Sequence, residues 1–257
     1  MSLRAVILGS GTSSGVPRIG NDWGDCDPTE PRNRRRRASI LVESATTRIL
    51  VDTSPDMREQ LLSADVADVD AVLWTHDHAD HCHGIDDLRQ LFHARGAPVT
   101  AYARAATLET LRQRFGYAFD GKEGYPPTVQ GHDLPDALRI GDIDIKVVDQ
   151  PHGSITSAGF RFEAGGVAIG YSTDFHIVTP AMNRLFQDVD IWIVDALRHR
   201  PHPTHPHLGL TLDAIAAAGP RRAVLTHMDW SMDYRTLCAT LPPGVEPGYD
   251  GMVVKVR

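Results

Sequence analysis

The sequence predicts a layered α/β fold, and three observations lead there. Short apolar, β-branched runs recur along the chain, helix-like segments separate them, and no Ser/Gly-rich linker, fixed-period repeat or low-complexity tract interrupts the alternation. In order the runs are "LRAVIL", "SILVES", "RILVD", "DAVLW", "IDIKVV", "GVAIGY", "IWIVDA", "RAVLTH" and "MVVKV". These nine candidate strands imply a large sheet system. The first helix is expected over 55–64, with Ser54 as its cap and Pro55 in the first turn. Ile85, Leu88, Leu91 and Phe92 fall on one helical face, and 104–115 and 209–218 complete the helices. The segment 117–127, "YAFDGKEGYPP", is turn-rich and reads as an exposed loop, either over a site or as a plain connector.

Composition narrows the function classes. A length of 257 residues suits one large core, so 1–257 reads as a single domain. The formal charge of -7 leaves no overall basic field to recruit long nucleic acid or an anionic membrane. Three cysteines, Cys26, Cys82 and Cys238, form no C-x-x-C pair and no disulfide framework, which fits a reducing cytoplasm. The amino-terminal apolar run is too short for a signal-peptide core, and no stretch is long enough to span a bilayer.

The densest chemistry lies in "VLWTHDHADHCHGIDDL", residues 72–88, where four histidines follow an apolar run. His76 and His78, two apart in an extended segment, can point the same way, while Asp80 and His81 belong to the turn and the following helix start. Histidine nitrogen and carboxylate oxygen suit zinc, manganese or iron. The lack of clustered cysteines argues against a closed structural zinc centre, and open coordination positions make a site catalytic.

The segment "THDHADH" resembles the H-x-H-x-D-H signature of the metallo-β-lactamase superfamily. The later parts of that pattern recur in order: His152 in "DQPHGS" after the strand 143–149, Asp174 in "GYSTDF" after 166–171, and His227 in "AVLTHMDW" after 222–226. The resemblance implies that His76, His78 and His152 hold one metal, that Asp80, His81 and His227 hold another, and that Asp174 bridges them. It also implies two mixed sheets face to face with helices outside, the site lying at one edge of the sandwich. The flanks "GSGTSSGVPRIG", "DTSPDMREQLL", "DALRHRPHPTH" and "PPGVEPGYDGMVVKV" are similar to the branch containing the phosphoribosyl cyclic phosphate phosphodiesterase of phosphonate degradation. That likeness covers nearly the whole chain and implies a homodimer. Members of the branch carry a further structural zinc on several cysteines and a histidine. Here only Cys26 is present and Trp230 stands in the histidine's place, so that zinc is not expected.

The expected function is therefore a dinuclear metal-dependent phosphodiesterase, loaded with zinc or manganese. It would hydrolyse a small phosphodiester, cyclic ribosyl or nucleoside, through a metal-bound hydroxide. Two divalent ions supply about +4 and Asp80, Asp174 and a hydroxide about -3, so the centre attracts a phosphodiester anion despite the chain's negative total. Departure of an alkoxide needs a proton donor or metal contact. "RHRPHPTHPHLGLTL" offers His199, His202, His205 and His207. By the family pattern His205 is the general acid or phosphate ligand, with His207 its nearest rival. The catalytic set is then His205, Asp80 and Asp174.

Other features carry weaker expectations. Asp52 can accept the second N–H of a ligating imidazole or cap a turn. Gly9, Gly11 and Gly15 match neither nucleotide-binding spacing and read as a tight turn near the site. Arg32 and Arg34 to Arg37 form either a solvated face or a basic rim for phosphate. Cys82 reads as a packed thiol; His83, His93, His132 and His176 receive no role. Three alternatives stay open: hydrolysis of a carbonyl ester, thioester or lactone; a non-hydrolytic relative resembling the pyrroloquinoline quinone biosynthesis protein; and a ribonuclease of transfer-RNA maturation, which the net charge disfavours.

Overall fold

The computed structural model describes residues 3–256. Along the first half of the chain run β1 (Arg4–Gly9), β2 (Ser39–Glu43), β3 (Arg48–Val51), α1 (Met57–Ser63), β4 (Ala71–Leu73) and α2 (Ala79–Cys82). They are followed by α3 (Leu88–Arg95), β5 (Val99–Ala103), α4 (Ala105–Asp120) and β6 (Val129–Asp133). The second half holds β7 (Ala137–Ile140), β8 (Ile143–His152), β9 (Ile155–Ala164), β10 (Val167–Ser172), α5 (Pro180–Phe186) and β11 (Ile191–Asp195). The chain closes with α6 (Leu208–Ala218), β12 (Arg222–Thr226), α7 (Tyr234–Thr240), β13 (Val245–Pro247) and β14 (Val253–Lys255).

Two seven-stranded sheets form, ordered β14-β1-β2-β3-β4-β5-β6 and β13-β12-β11-β10-β9-β8-β7. Each is mixed in the same way. In the first, β14 to β3 pair antiparallel and β3 to β6 parallel. In the second, β13 to β10 pair parallel and β10 to β7 antiparallel. The expected α/β sandwich of two mixed sheets flanked by helices is thus the observed one.

The sequence forms this sandwich because the apolar runs have two buried faces, which is why they read as continuous rather than alternating. Ile49 and Val51 of β3 point between the sheets, where they join Ile40, Leu73, Phe160, Phe162, Ile169 and Ile193. Leu50 between them points outward, onto Met57, Leu61 and Leu88 of the helical layer. In the second sheet Ile191 and Ile193 enter the central core while Trp192 and Val194 meet Phe186 and Ile215 outside. Period-two alternation therefore sorts one run into two cores.

Several local expectations need correction. The first helix begins at Met57. Ser54 and Pro55 lie in the turn before it, with the Ser54 carbonyl accepting from Met57 N–H at 2.9 Å and its hydroxyl from Asp56 N–H at 3.1 Å. The segment 117–127 is helical through Asp120 and a loop only from Gly121, because Ala118 and Phe119 are buried anchors on the sheet. The arginine run is divided: Arg32 and Arg34 are exposed, while Arg35 to Arg37 are tied into the structure. Arg35 is buried and donates to the carbonyls of Met232 at 2.6 Å and Asp229 at 3.2 Å, Arg36 pairs with Asp250 and Arg37 with Asp56. Arg32 lies over Tyr234 and Tyr249 and Arg34 over Trp23. Gly9 is needed because a Cβ there would lie 1.9 Å from the Arg37 carbonyl oxygen, so this loop packs on the arginine segment. No described helix is long and apolar enough to cross a membrane.

Candidate metal centre

Parallel strands deliver their carboxyl-terminal ends to one edge of the sandwich, and the chemistry gathers there as expected for open α/β sheets. Asp52 follows β3, Thr75 and His76 follow β4, Asp174 follows β10, Asp195 ends β11 and His227 follows β12. His152 is the last residue of β8, not a residue beyond the strand. Asp80 and His81 sit in the short helix α2, whose cap is His78. Asp52, Asp174 and His227 have φ of +65°, +56° and +56°. The left-handed backbone turns each side chain sharply off its strand, a local strain typical of functional sites.

The structure brings all seven expected ligands together. Atoms of His76, His78, His152 and Asp174 lie within 4.8 Å of one another, and so do atoms of Asp80, His81 and His227. Asp174 belongs to both neighbourhoods through different oxygens. Its Oδ1 faces His205 Nδ1 at 3.4 Å, His152 Nε2 at 3.6 Å and His76 Nε2 at 3.9 Å. Its Oδ2 faces His81 Nε2 at 3.2 Å and His227 Nε2 at 3.5 Å. Asp80 Oδ2 adds contacts to His81 at 3.4 Å and His227 at 3.6 Å.

Hydrogen bonds behind the rings set which nitrogen faces the cluster. His152 Nδ1 donates to the Thr204 carbonyl at 2.8 Å, leaving Nε2 with its lone pair inward. His81 Nδ1 donates to Asp52 Oδ2 at 2.6 Å. Thr75 Oγ1 lies 2.9 Å from His76 Nδ1 and 2.9 Å from Asp52 Oδ2, so its hydroxyl donates to the carboxylate and accepts from the ring. Asp52 also accepts the Thr75 backbone N–H at 2.8 Å, so its carboxylate ties the ends of β3 and β4 together behind His81 and does not cap its own turn. These partners leave His76 Nε2 and His81 Nε2 buried without a hydrogen-bond partner, and both nitrogens of His227 are in the same condition. Inward lone pairs facing two carboxylates require a cation, and an all-N/O donor set of imidazole and carboxylate fits divalent metal.

Without an ion between them, the carboxylates and imidazoles shift one another, and protons take up the charge that a metal would otherwise balance. Burial alone would raise Asp174, but His227, His81 and His76 hold its carboxyl well below the ordinary range. Burial also opposes ionisation of Asp80, and His81 and His227 again reverse it. His227 is pushed up to about 9: burial disfavours its charge, yet the nearby carboxylates of Asp174, Asp195 and Asp80 outweigh that cost. His76 and His152 go the other way, lowered first by burial.

Of the four histidines in the loop after β11, His205 enters the cluster and His207 does not. His205 stacks on His227 with ring centroids 5.1 Å apart and stands edge-on to His152 at 4.8 Å. His207 caps α6. Sequence reading missed Asp195, a fully buried carboxylate whose Oδ2 accepts the Asp174 N–H at 2.9 Å and lies 3.4 Å from His205 Nδ1. The available signal was an aspartate closing "IWIVDA" as Asp52 closes "RILVD". Cys82 is a buried thiol pushed up to about 12, first by desolvation, and donates to the Asp77 carbonyl at 3.4 Å. His83 packs edge-on to Phe115, His132 lies against Tyr102 and His176 approaches the Pro151 carbonyl, all outside the cluster.

The model of the β-lactamase superfamily domain matches residues 47–228, which include every residue of both clusters. The chain belongs to this superfamily. Within it, a diphosphatase of the PhnP family superposes with a TM-score of 0.90 at 34% identity, covering 99% of this chain and 97% of that one. This places the chain in the PhnP branch expected from its flanking segments. Zinc-bound PqqB from Methylobacterium extorquens superposes with a TM-score of 0.77 at 20% identity, over 98% of this chain and all of that one, and so shares the fold. A Porphyromonas gingivalis protein named octanoyltransferase is 32% identical over 259 residues, 97% of this chain but 51% of its own length. The chain spans about half the length of the curated relatives it matches.

Proposed function

We propose that this protein hydrolyses a small phosphodiester, cyclic in its preferred form, at a centre of two divalent ions, zinc or manganese. The division of Asp174 between the two clusters carries the reading, because a carboxylate that offers one oxygen to each of two histidine groups is the natural bridge of a dinuclear site. His76, His78, His152 and Oδ1 of Asp174 would hold one ion; Asp80, His81, His227 and Oδ2 of Asp174 the other. Bound there, the ions supply Lewis acidity to the phosphoryl group and bring the pKa of water towards neutrality.

The protein's own residues do the rest. Asp52, Thr75 and the Thr204 carbonyl hold the ligand tautomers that keep lone pairs inward. His205 supplies the proton for the departing alkoxide, and Asp195 positions its ring through Nδ1. A donor within the cluster yet still 15% exposed can meet both substrate and solvent. Membership of the PhnP branch, and the diphosphatase name of a 34% identical relative, support phosphorus as the electrophile. Carbonyl substrates form the second reading, favoured by the acyl-transferase name of the Porphyromonas gingivalis relative.

The test is a substrate panel with the metal-loaded protein: a five-membered cyclic ribosyl phosphate, a linear phosphodiester, a single-stranded oligonucleotide and an octanoyl thioester. Turnover of the cyclic ester well above the others, abolished in Asp174→Ala with an unchanged far-ultraviolet spectrum, is expected. Thioester turnover without phosphodiester turnover would overturn the proposal.

A further inference from the structure

The loop 198–207 is a closed Ω-shaped segment. Its neck is tied by Leu197 N–H to the Pro206 carbonyl at 3.0 Å and Leu208 N–H to the Arg198 carbonyl at 2.8 Å. The Arg198 guanidinium fills the loop, donating to the carbonyls of Arg200 at 3.1 Å and Pro201 at 2.8 Å. Inside this frame the Thr204 backbone N–H points at His202 Nδ1, 3.2 Å away, and the Thr204 hydroxyl lies 3.3 Å from the same nitrogen. A backbone N–H can only donate, so Nδ1 of His202 is an acceptor and the neutral ring must carry its proton on Nε2.

That proton has no protein acceptor among the described residues. The ring is half-buried and stands edge-on to His205, centroids 5.0 Å apart at 64°, while His205 stacks on His227 of the cluster. The Thr204 N–H thus fixes the tautomer of an imidazole that stands against His205, one ring away from the candidate metal centre. A packing histidine has no need of a fixed tautomer, whereas a donor to a bound anion does.

We propose that Nε2–H of His202 anchors a non-bridging phosphoryl oxygen of the substrate, which makes His202 a substrate-binding residue distinct from the proton donor His205. This rests on the phosphodiesterase reading. A hydrogen bond from a fixed donor to an anionic oxygen corresponds to about 10- to 100-fold in affinity.

The experiment compares wild type, His202→Phe and His202→Gln, all full-length and zinc-loaded. The probes are inorganic phosphate, by calorimetric titration, and the cyclic ester, by KM and kcat. Phenylalanine keeps the ring against His205 but removes the donor, and glutamine places an N–H near the Nε2 position. The expected result is about 10-fold weaker phosphate binding and a matching rise in KM for His202→Phe, with most of the loss recovered in His202→Gln. Wild-type phosphate affinity in His202→Phe, or no recovery in His202→Gln, would overturn the assignment. Nitrogen-15 chemical shifts of wild-type His202 give a second readout that needs no variant, and a proton found on Nδ1 would also overturn it. Should no phosphodiester be cleaved while phosphate binding follows the expected order, the substrate reading fails and the anion anchor stands.

Discussion

Asp52→Asn isolates one carboxylate behind the candidate metal centre with little change of shape. Asp52 receives three donors: His81 Nδ1–H on Oδ2, the Thr75 backbone N–H on Oδ1, and the Thr75 hydroxyl. An asparagine has one oxygen and one NH2, so in either amide orientation a buried N–H of His81 or Thr75 faces another donor. The backbone is not the problem, since Asn tolerates the left-handed φ of +65° found here. If the NH2 faces His81, the ring must surrender Nδ1–H and carry its proton on Nε2, where the inward lone pair is needed. If it faces Thr75, a main-chain N–H is left unsatisfied, costing about 1–3 kcal/mol of stability. Loss of a partner behind a metal ligand weakens metal binding by roughly 10- to 100-fold, or ~1.4–2.7 kcal/mol. Competition of zinc against a fluorescent chelator reads the first quantity and urea unfolding the second. A variant with wild-type zinc affinity and wild-type stability would refute this account of how His81 is oriented.

Three further outcomes are expected. His205→Ala should lower kcat by about 100- to 10,000-fold for an alkyl leaving group but far less for p-nitrophenolate, which leaves without protonation; equal losses on both would move His205 from proton donor to phosphate ligand. Of the three cysteines, exposed Cys238 should react with a thiol reagent at pH 8 in the native state, while buried Cys26 and Cys82, the latter pushed up to about 12, should react only in denaturant; rapid native modification of Cys82 would contradict its packing. Asp233 is drawn down to about 2: burial opposes its charge, but the Thr236 N–H, the Asn33 amide and the Asp27 N–H outweigh it. A depressed carboxyl stabilises the fold fully above its unfolded pKa near 4, and that contribution fades as pH falls towards 2. The gap in melting temperature between wild type and Asp233→Ala should therefore narrow from pH 5 to pH 2, and a constant gap would count against it.

The sequence made some levels of this structure legible and hid others for physical reasons. Strands such as β3, β11 and β12 announce themselves because both faces are buried along their middles, which are apolar throughout, with polar residues only at their ends. By contrast "VQGHD" of β6 and "ALRI" of β7 lie at sheet edges, where one side is wet and polar residues are tolerated. The ten-residue β9 was missed because Ser157, Gly159 and Arg161 break its apolar run. The residues of the candidate metal centre were legible through the order and spacing of His76, His78, Asp80 and His81 and their echoes at later strand ends. The tautomers were not, since they depend on Asp52, Thr75 and a Thr204 carbonyl brought in from distant segments. Asp195 stayed hidden because an aspartate at a strand end is ordinary until the fold sets it against Asp174 and His205.

The most direct measurement is turnover of the cyclic ribosyl phosphate as zinc or manganese is added back, in known equivalents, to chelator-treated protein. Activity that is absent without metal and saturates at two ions per chain is the predicted result. Full activity in the stripped protein, or saturation at one ion, would contradict the dinuclear centre bridged by Asp174.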